Sequence, residues 1–282
     1  VTTTLDLRGA QRLFWGATEA QRLYRGSTLL WTKPGSPPPP PPWTPASAGA
    51  WVWIDPSDLS TMRQDRTGAA ATIPVAVGDP VGSLLDKGQF GGWWTALTDA
   101  ARPTLQSSGG VFWLAFANAQ RLTATATAGF MAAMGGNMSK TGVLAAAAAP
   151  SSSNRFAFQI GNVAPLYALI QWPTTNLPTL HQNGQNLIET DGPTMAALQV
   201  HAFIKNVNAL SIRTNGAERA AANVSGVNIP PTDTALNFGG RSNNTNFWSG
   251  PIVSFALYPG ALSGADLTAA EAFAAARAGL SL

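Results

Sequence analysis

Apolar and polar positions alternate with a period of two along several stretches of the chain. Leu198, Val200, Ala202 and Ile204 are separated by Gln199, His201 and Phe203. Alternate side chains of a strand point to opposite faces, so this reads as a strand with one apolar face and a more polar one, blurred at Phe203. Leu210 and Ile212 lead to Asn215-Gly216, a strong hairpin turn signal, and Val253, Phe255 and Leu257 alternate again. The period then changes. Leu267, Ala270, Phe273 and Ala274 recur at helical spacing behind Ser263 and Asp266, a capping box with Asp in place of Glu. Earlier, Trp51-Val52-Trp53-Ile54 reads as a strand entering Asp55-Pro56-Ser57-Asp58. There Asp55 is expected to cap a short helical turn, with Pro56 at its first position and Asp58 near its positive end.

The N-terminal stretch follows a different pattern. Residues 11–20 (QRLFWGATEA) are followed by residues 21–30 (QRLYRGSTLL), a ten-residue repeat with Gly16 and Gly26 in the same place. Each unit predicts a short strand, a turn and re-entry into a strand. So small a piece buries no core alone and needs a surface or copies of itself. Pro37–Pro42 then interrupt the chain. Proline fixes φ and lacks an amide donor, so this run predicts a polyproline II rod of roughly 19 Å. The expected organisation is a β-repeat head (1–33), a Pro-rich linker (34–47) that holds it apart, and a β-sandwich (48–282).

Composition supports an all-β body. Of the 282 residues 45% are apolar and only 11% charged, with 28 Gly, 21 Pro and ten Trp, a mixture suited to many tight turns around a sizeable core. The chain has no cysteine, which rules out disulfides and thiolate metal sites. Val143–Ala149 is too short an apolar run to span a bilayer, and the first residues have no basic-then-apolar signal pattern, so membrane insertion and standard export are not expected. Residues 1–33 hold five basic and two acidic residues, and the rest of the chain twelve of each. The body thus has no basic stripe for nucleic acid.

Two resemblances follow from particular residues. The Arg-Leu-Phe/Tyr-x-Gly-x-Thr pattern ending in Leu30-Trp31 resembles short attachment or assembly modules of tailed-phage virion proteins. The landmarks Trp51–Ser60, Gly78-Asp79-Pro80-Val81-Gly82, Leu84–Lys87, Ala101–Leu105 and Val111–Phe116 resemble, in this order, the concanavalin A-like (laminin G-like) domains of phage and prophage structural proteins. So do Leu236–Arg241, Asn246–Ile252 and the closing Leu257–Ser263 with its helix, while residues 124–195 match poorly. These resemblances imply an all-β jelly-roll sandwich with one C-terminal helix, in a virion protein exposed on a tail or head and forming a homo-oligomer. Phe14, Trp15, Tyr24, Arg25 and Trp31 would anchor the head to other virion proteins, and the sandwich would bind a host surface glycan. At Phe116–Leu122 many relatives carry aspartates and this chain has none, which leaves an acidic ligand site there without support.

Catalysis has little footing. A glycoside hydrolase needs paired carboxylates, and the Glu-x-Asp-x-Glu pattern of such folds is absent; the body holds only Glu189, Glu218 and Glu271. Asp55, Asp58 and Asp65 could gather around calcium, but turn and cap roles explain the first two, and no cofactor is expected. His201 reads as a packed or rim histidine rather than a ligand. Sugar rings stack on aromatic faces while amides and guanidinium groups bond their hydroxyls. That chemistry singles out Trp93, Trp94, Asn183, Gln185, Arg241, Asn243, Asn244 and Trp248 as candidate glycan contacts. The alternatives are a structural decoration or spike-base protein that binds no sugar, or a polysaccharide depolymerase.

Overall fold

In the computed structural model the chain divides into two units, residues 1–42 and 43–282. The structure describes residues 13–15, 18–20, 22–25 and 28–32. From residue 43 it describes all but 118, 136–137, 162–166, 183–184, 224–233 and 244. The proline run lies outside the described residues, as do the side chains of the five anchoring candidates.

In the first unit each repeat forms one antiparallel hairpin, β1 (Leu13–Trp15) with β2 (Thr18–Ala20) and β3 (Arg22–Arg25) with β4 (Thr28–Thr32). The second unit begins with β5 (Val52–Ile54), β6 (Met62–Arg63), β7 (Ser83–Leu85) and β8 (Trp93–Ala96). It continues through β9 (Thr104–Ser108), β10 (Val111–Phe116), β11 (Leu122–Thr125), helix α1 (Ala128–Met134) and β12 (Lys140–Ala146). Next come β13 (Arg155–Ile160), β14 (Tyr167–Gln171), β15 (Pro178–Gln182) and β16 (Gln185–Ile188). The chain closes with β17 (Gln199–Asn206), β18 (Ala209–Thr214), β19 (Ala217–Asn223), β20 (Ala235–Phe238), β21 (Gly250–Pro259) and α2 (Gly264–Arg277).

Two antiparallel sheets form the sandwich. The first has the order β19-β18-β17-β12-β21-β10-β9, with β5 beside the second half of β21; the second has the order β16-β15-β14-β13-β20-β11-β8-β7-β6. Leu114, Leu144, Phe203 and Phe255 of the first sheet meet Trp94, Leu122, Phe158 and Phe238 of the second in one buried core. Consecutive strands pair toward the edges of each sheet, whereas the central pairings, β17-β12-β21-β10 and β13-β20-β11-β8, are non-local.

Helix α2 covers the outer face of the first sheet. Its Leu267, Ala270 and Ala274 pack on Val143, Ala145, Val200 and Ala202. This burial on both faces explains why β12 is a run of small and apolar residues from Gly142 to Ala146. The Asn215-Gly216 turn joins β18 to β19 with φ of 49° and 79°, the left-handed pair that a two-residue hairpin requires.

The alternation in β17 is as expected, and the structure adds that its polar side faces the other sheet: Gln199, His201 and Lys205 are buried, while Val200, Ala202 and Ile204 face α2. Several other sequence expectations are corrected. Asp55 caps no helix. Its carboxylate accepts Ser57 N–H and Oγ–H and meets Lys87 and Arg277 at 3.2 and 3.1 Å; the short 3-10 turn starts later, at Leu59. Ser263 flanks α2 without a side-chain cap bond. The linker does not reach residue 47, because Pro45–Ala48 form a capped turn and Trp43 packs on Phe273 of α2 with ring centroids 5.8 Å apart. A second helix, α1, lies in the stretch that matched poorly, capped by Thr127.

The space between the sheets also holds polar groups. Lys140 and Lys205 sit opposite each other on β12 and β17, fully buried, donating to the carbonyls of Met138 at 2.8 Å and Val207 at 2.7 Å. Burial lowers the Lys140 pKa to about 7, aided by the Lys205 charge, and burial lowers Lys205 to about 8. Asp86 accepts the backbone N–H of Trp53 and Gly88 on Oδ1 and the indole N–H of Trp94 on Oδ2, at 2.9, 2.7 and 2.9 Å.

Two outcomes are expected. Asp86→Asn turns an amide N–H toward one of these donors and should destabilise the fold by about 1–3 kcal/mol in chemical denaturation. The two lysines have folded pKa values below the unfolded value of 10.5, so the unfolded chain binds more protons between them. Stability should therefore rise with pH from about 7 to about 10 and fall as pH drops through that window. Lys140→Met should flatten that slope in thermal melts recorded across pH.

Candidate functional site

With α2 over the first sheet, the outer face of the second sheet is where exposed strand side chains can gather. Strand pairing lines up a row across it: Thr95 on β8, Thr123 on β11, Asn237 on β20, Gln159 on β13, Ala168 on β14, His181 on β15 and Asn186 on β16. Residues directly opposite in antiparallel strands share a face. Their sequence neighbours Trp94, Leu122, Leu236, Phe238, Phe158 and Leu180 belong to the core, which puts this row on the other side. Six of its seven members are polar.

A groove of about 590 Å³ opens over one half of the row, lined by Trp93, Thr95, Thr123, Thr125, Asn237 and Ser242, with Arg121 at its wall. Trp93 precedes the core residue Trp94 and so faces outward beside Thr95, half-buried. Thr123 Oγ1 donates to the Thr95 carbonyl at 3.2 Å. Asn237 is 3% exposed and its Nδ2 has no partner. Gln159, the next in the row, is fully buried; its Nε2 reaches Ser242 Oγ at 3.3 Å, while its Oε1 has no partner. Buried amides normally find partners, so unpaired ones at a groove floor are groups a ligand or water can satisfy.

The loop from Gly239 to Trp248 overhangs this face. It closes on itself through Trp248 N–H to the Gly239 carbonyl at 2.9 Å. Gly239 has φ of 87°, and a Cβ there would lie 2.1 Å from the Phe116 ring, so only glycine fits. Arg121 Nη1 donates to the Arg241 carbonyl. Arg241 itself lies over the Phe156 ring, 5.7 Å from its centroid. At the far end of the row His181 Nδ1 contacts Asn186 Oδ1 at 2.5 Å, and burial and the Arg241 charge lower its pKa against the pull of that bond.

Of the residues singled out from sequence, Trp93 lines the groove, Arg241 lies beside it and Asn243 is exposed in the overhanging loop, accepting a bond from Thr245 at 2.5 Å. Trp94 and Trp248 are corrected: both are fully buried core residues, Trp94 against Phe90, Phe158 and Phe238. Asn183 and Asn244 lie outside the described residues, and so does the side chain of Gln185. Thr95, Thr123, Thr125, Asn237 and Gln159 were missed. Each is an ordinary polar strand position, and only cross-strand register brings them together. The outward phase of Thr123 and Thr125 in Leu122–Thr125 was the available signal.

No carboxylate is among the described residues lining the groove. Glu189 accepts from Thr214 at 2.7 Å between the sheets, whereas Glu271 of α2 pairs with Arg213 at 2.9 Å on the outer face of the first sheet. Asp55 and Asp58 are both held by Lys87, and among the described residues no three His, Asp or Glu side chains gather as a metal site. His201 is packed, contacting Thr214 Oγ1 at 3.0 Å, and burial lowers its pKa to about 3. A second groove, of about 510 Å³ and mostly apolar, lies between Leu210, Ala221 and Leu262 and shows no comparable polar row.

No protein-family model matches the chain, and no curated protein matches it. Solved structures do. Domain 4 of AbnA, an extracellular GH43 arabinanase from Geobacillus stearothermophilus in complex with arabinotriose, is 12% identical with a TM-score of 0.55, covering 79% of this chain and 98% of that one. The CBM40 of Ruminococcus gnavus IT-sialidase, bound to α2,3-sialyllactose, is 14% identical with a TM-score of 0.41, covering 48% and 82%. The binding domain of botulinum neurotoxin DC in complex with rat synaptotagmin II is 14% identical with a TM-score of 0.47, covering 69% and 49%. At these identities the likeness is one of fold, a β-sandwich.

The two neighbouring tryptophans give a direct check. Trp94→Ala should cost about 3–5 kcal/mol in denaturant unfolding, as a large core truncation does. Trp93→Ala should cost well under half of that, because its ring is only half-buried.

Proposed function

We propose that the sandwich is a lectin-like domain that binds glycan in the groove on the second sheet. The observation that carries this reading is the groove itself, where one outward Trp ring stands beside a row of hydroxyl and amide groups whose floor member, Asn237, has an unpartnered N–H. A sugar has matching surfaces: apolar C–H faces for the ring and hydroxyls for the amides. The lack of a carboxylate among the described lining residues favours binding over hydrolysis, and the arabinanase domain supplies a precedent of similar fold in complex with an oligosaccharide.

In the wider proposal the chain is a structural protein of a tailed phage or phage-like particle, a fibre, spike or tip component exposed on tail or head. Its N-terminal repeats would dock on other virion proteins, the proline run would project the sandwich, and copies would assemble as a homo-oligomer. What supports this is the ten-residue repeat folded as two like hairpins, the six prolines after it and the concentration of net positive charge in residues 1–33. Cryo-electron microscopy of the particle with this chain traced tests the anchoring; a head that touches no other virion protein overturns it.

Glycan arrays probed with the full chain test the binding. Trp93→Ala should weaken recognition by about tenfold, equivalent to roughly 1.4 kcal/mol, with the melting curve nearly unchanged. Absence of binding to any host surface polysaccharide would falsify the lectin reading.

A further inference from the structure

The groove has a one-sided charge, while its uncharged groups include both donors and acceptors. Arg121 is the single charged side chain among its described lining residues, and no carboxylate lines it. The carboxylate just beyond the end of β8, Asp99, is held by Arg66 at 3.0 Å and Arg102 at 3.6 Å. Arg66 also donates to the carbonyl of Leu97 at the groove rim, at 2.8 Å. Arg241 adds a second guanidinium beside the groove, set over Phe156. The sandwich region as a whole carries as many acidic as basic residues, so this is a local arrangement and not a reflection of net charge.

One uncharged donor adds to this. Asn237 offers an unpartnered Nδ2 donor from a side chain that is 3% exposed. Threonine hydroxyls can donate or accept, and guanidinium groups only donate. A guanidinium with no carboxylate among the described lining residues suits an anionic ligand.

We infer that the groove is built for an acidic saccharide, one carrying a carboxylate, sulfate or phosphate group, with Arg121 and Asn237 facing the anionic unit and Trp93 the ring. This rests on the lectin reading above and adds the class of sugar to it. Burial of the Arg121 guanidinium, which lowers its pKa, also makes an anionic partner worth more there than on open surface.

The test uses the full chain with polygalacturonate, alginate and polysialic acid, each beside its carboxyl-reduced neutral counterpart. At least one acidic polymer should bind about fivefold or more tighter than its reduced form at low salt, with the gap closing at high ionic strength. Thr125 is exposed in the groove and tolerates polar substitution, so it provides a charge series without touching the core. Affinity for the preferred acidic polymer should fall in the order Thr125→Lys, Thr125→Gln, Thr125→Glu. Equal or tighter binding of the neutral forms, or a flat response across the series, overturns the acidic preference and leaves the lectin reading standing. Binding of neither form of any polymer, together with a blank array, overturns both.

Discussion

The packing of α2 on the first sheet is the contact from which much of the sandwich follows. Alanines on both sides let helix and sheet approach closely, with Ala270 and Ala274 meeting Val143, Ala145 and Ala202. Two ion pairs fix the helix in register, Arg213 with Glu271 and Arg277 with Asp55. Both acids are buried, so each would be costly without its partner. With α2 covering the middle strands of the first sheet, β12, β17 and β21, the central strands of the second sheet are left to carry a polar outer row. The groove lies there because the helix lies elsewhere.

The polar groups inside the sandwich obey the same geometry. Strands β12 and β17 each carry an inward lysine at one end of the pair, Lys140 and Lys205, and β17 carries Gln199 and His201 inward at the other, opposite Ala146 and Leu144 of β12. Each finds a carbonyl, hydroxyl or amide partner at the margin of the sheets. Such pairs contribute little net stability, yet a register slip of one residue would drive them outward and push Val200 and Ala202 into their place. Their cost is thus tied to the specification of one pairing.

Individual elements show how far the sequence could be read. The Asn215-Gly216 hairpin, the alternation in β17 and β21, the helical period of α2 and the two hairpins of the repeat are all local signals, and each element formed where its period placed it. The direction in which β17 turns its polar face was not legible, because a strand's period does not say which of its faces is covered by a helix. Trp93 and Trp94 could not be told apart for the same reason. Asn-rich loops drew attention as sugar contacts through composition, whereas the groove is made mainly of strand residues far apart in the chain.

The sequence by itself determined an all-β body with a C-terminal helix, a repeat-built head and a chain without thiol chemistry, since periodicity, turn residues and composition are properties of neighbours. Only the tertiary structure decided which tryptophan is a plug and which lines a surface, and that Thr95, Thr123, Asn237 and Gln159 form one row. Those facts depend on register between strands that are distant in the chain, and register is fixed by burying both sheets at once.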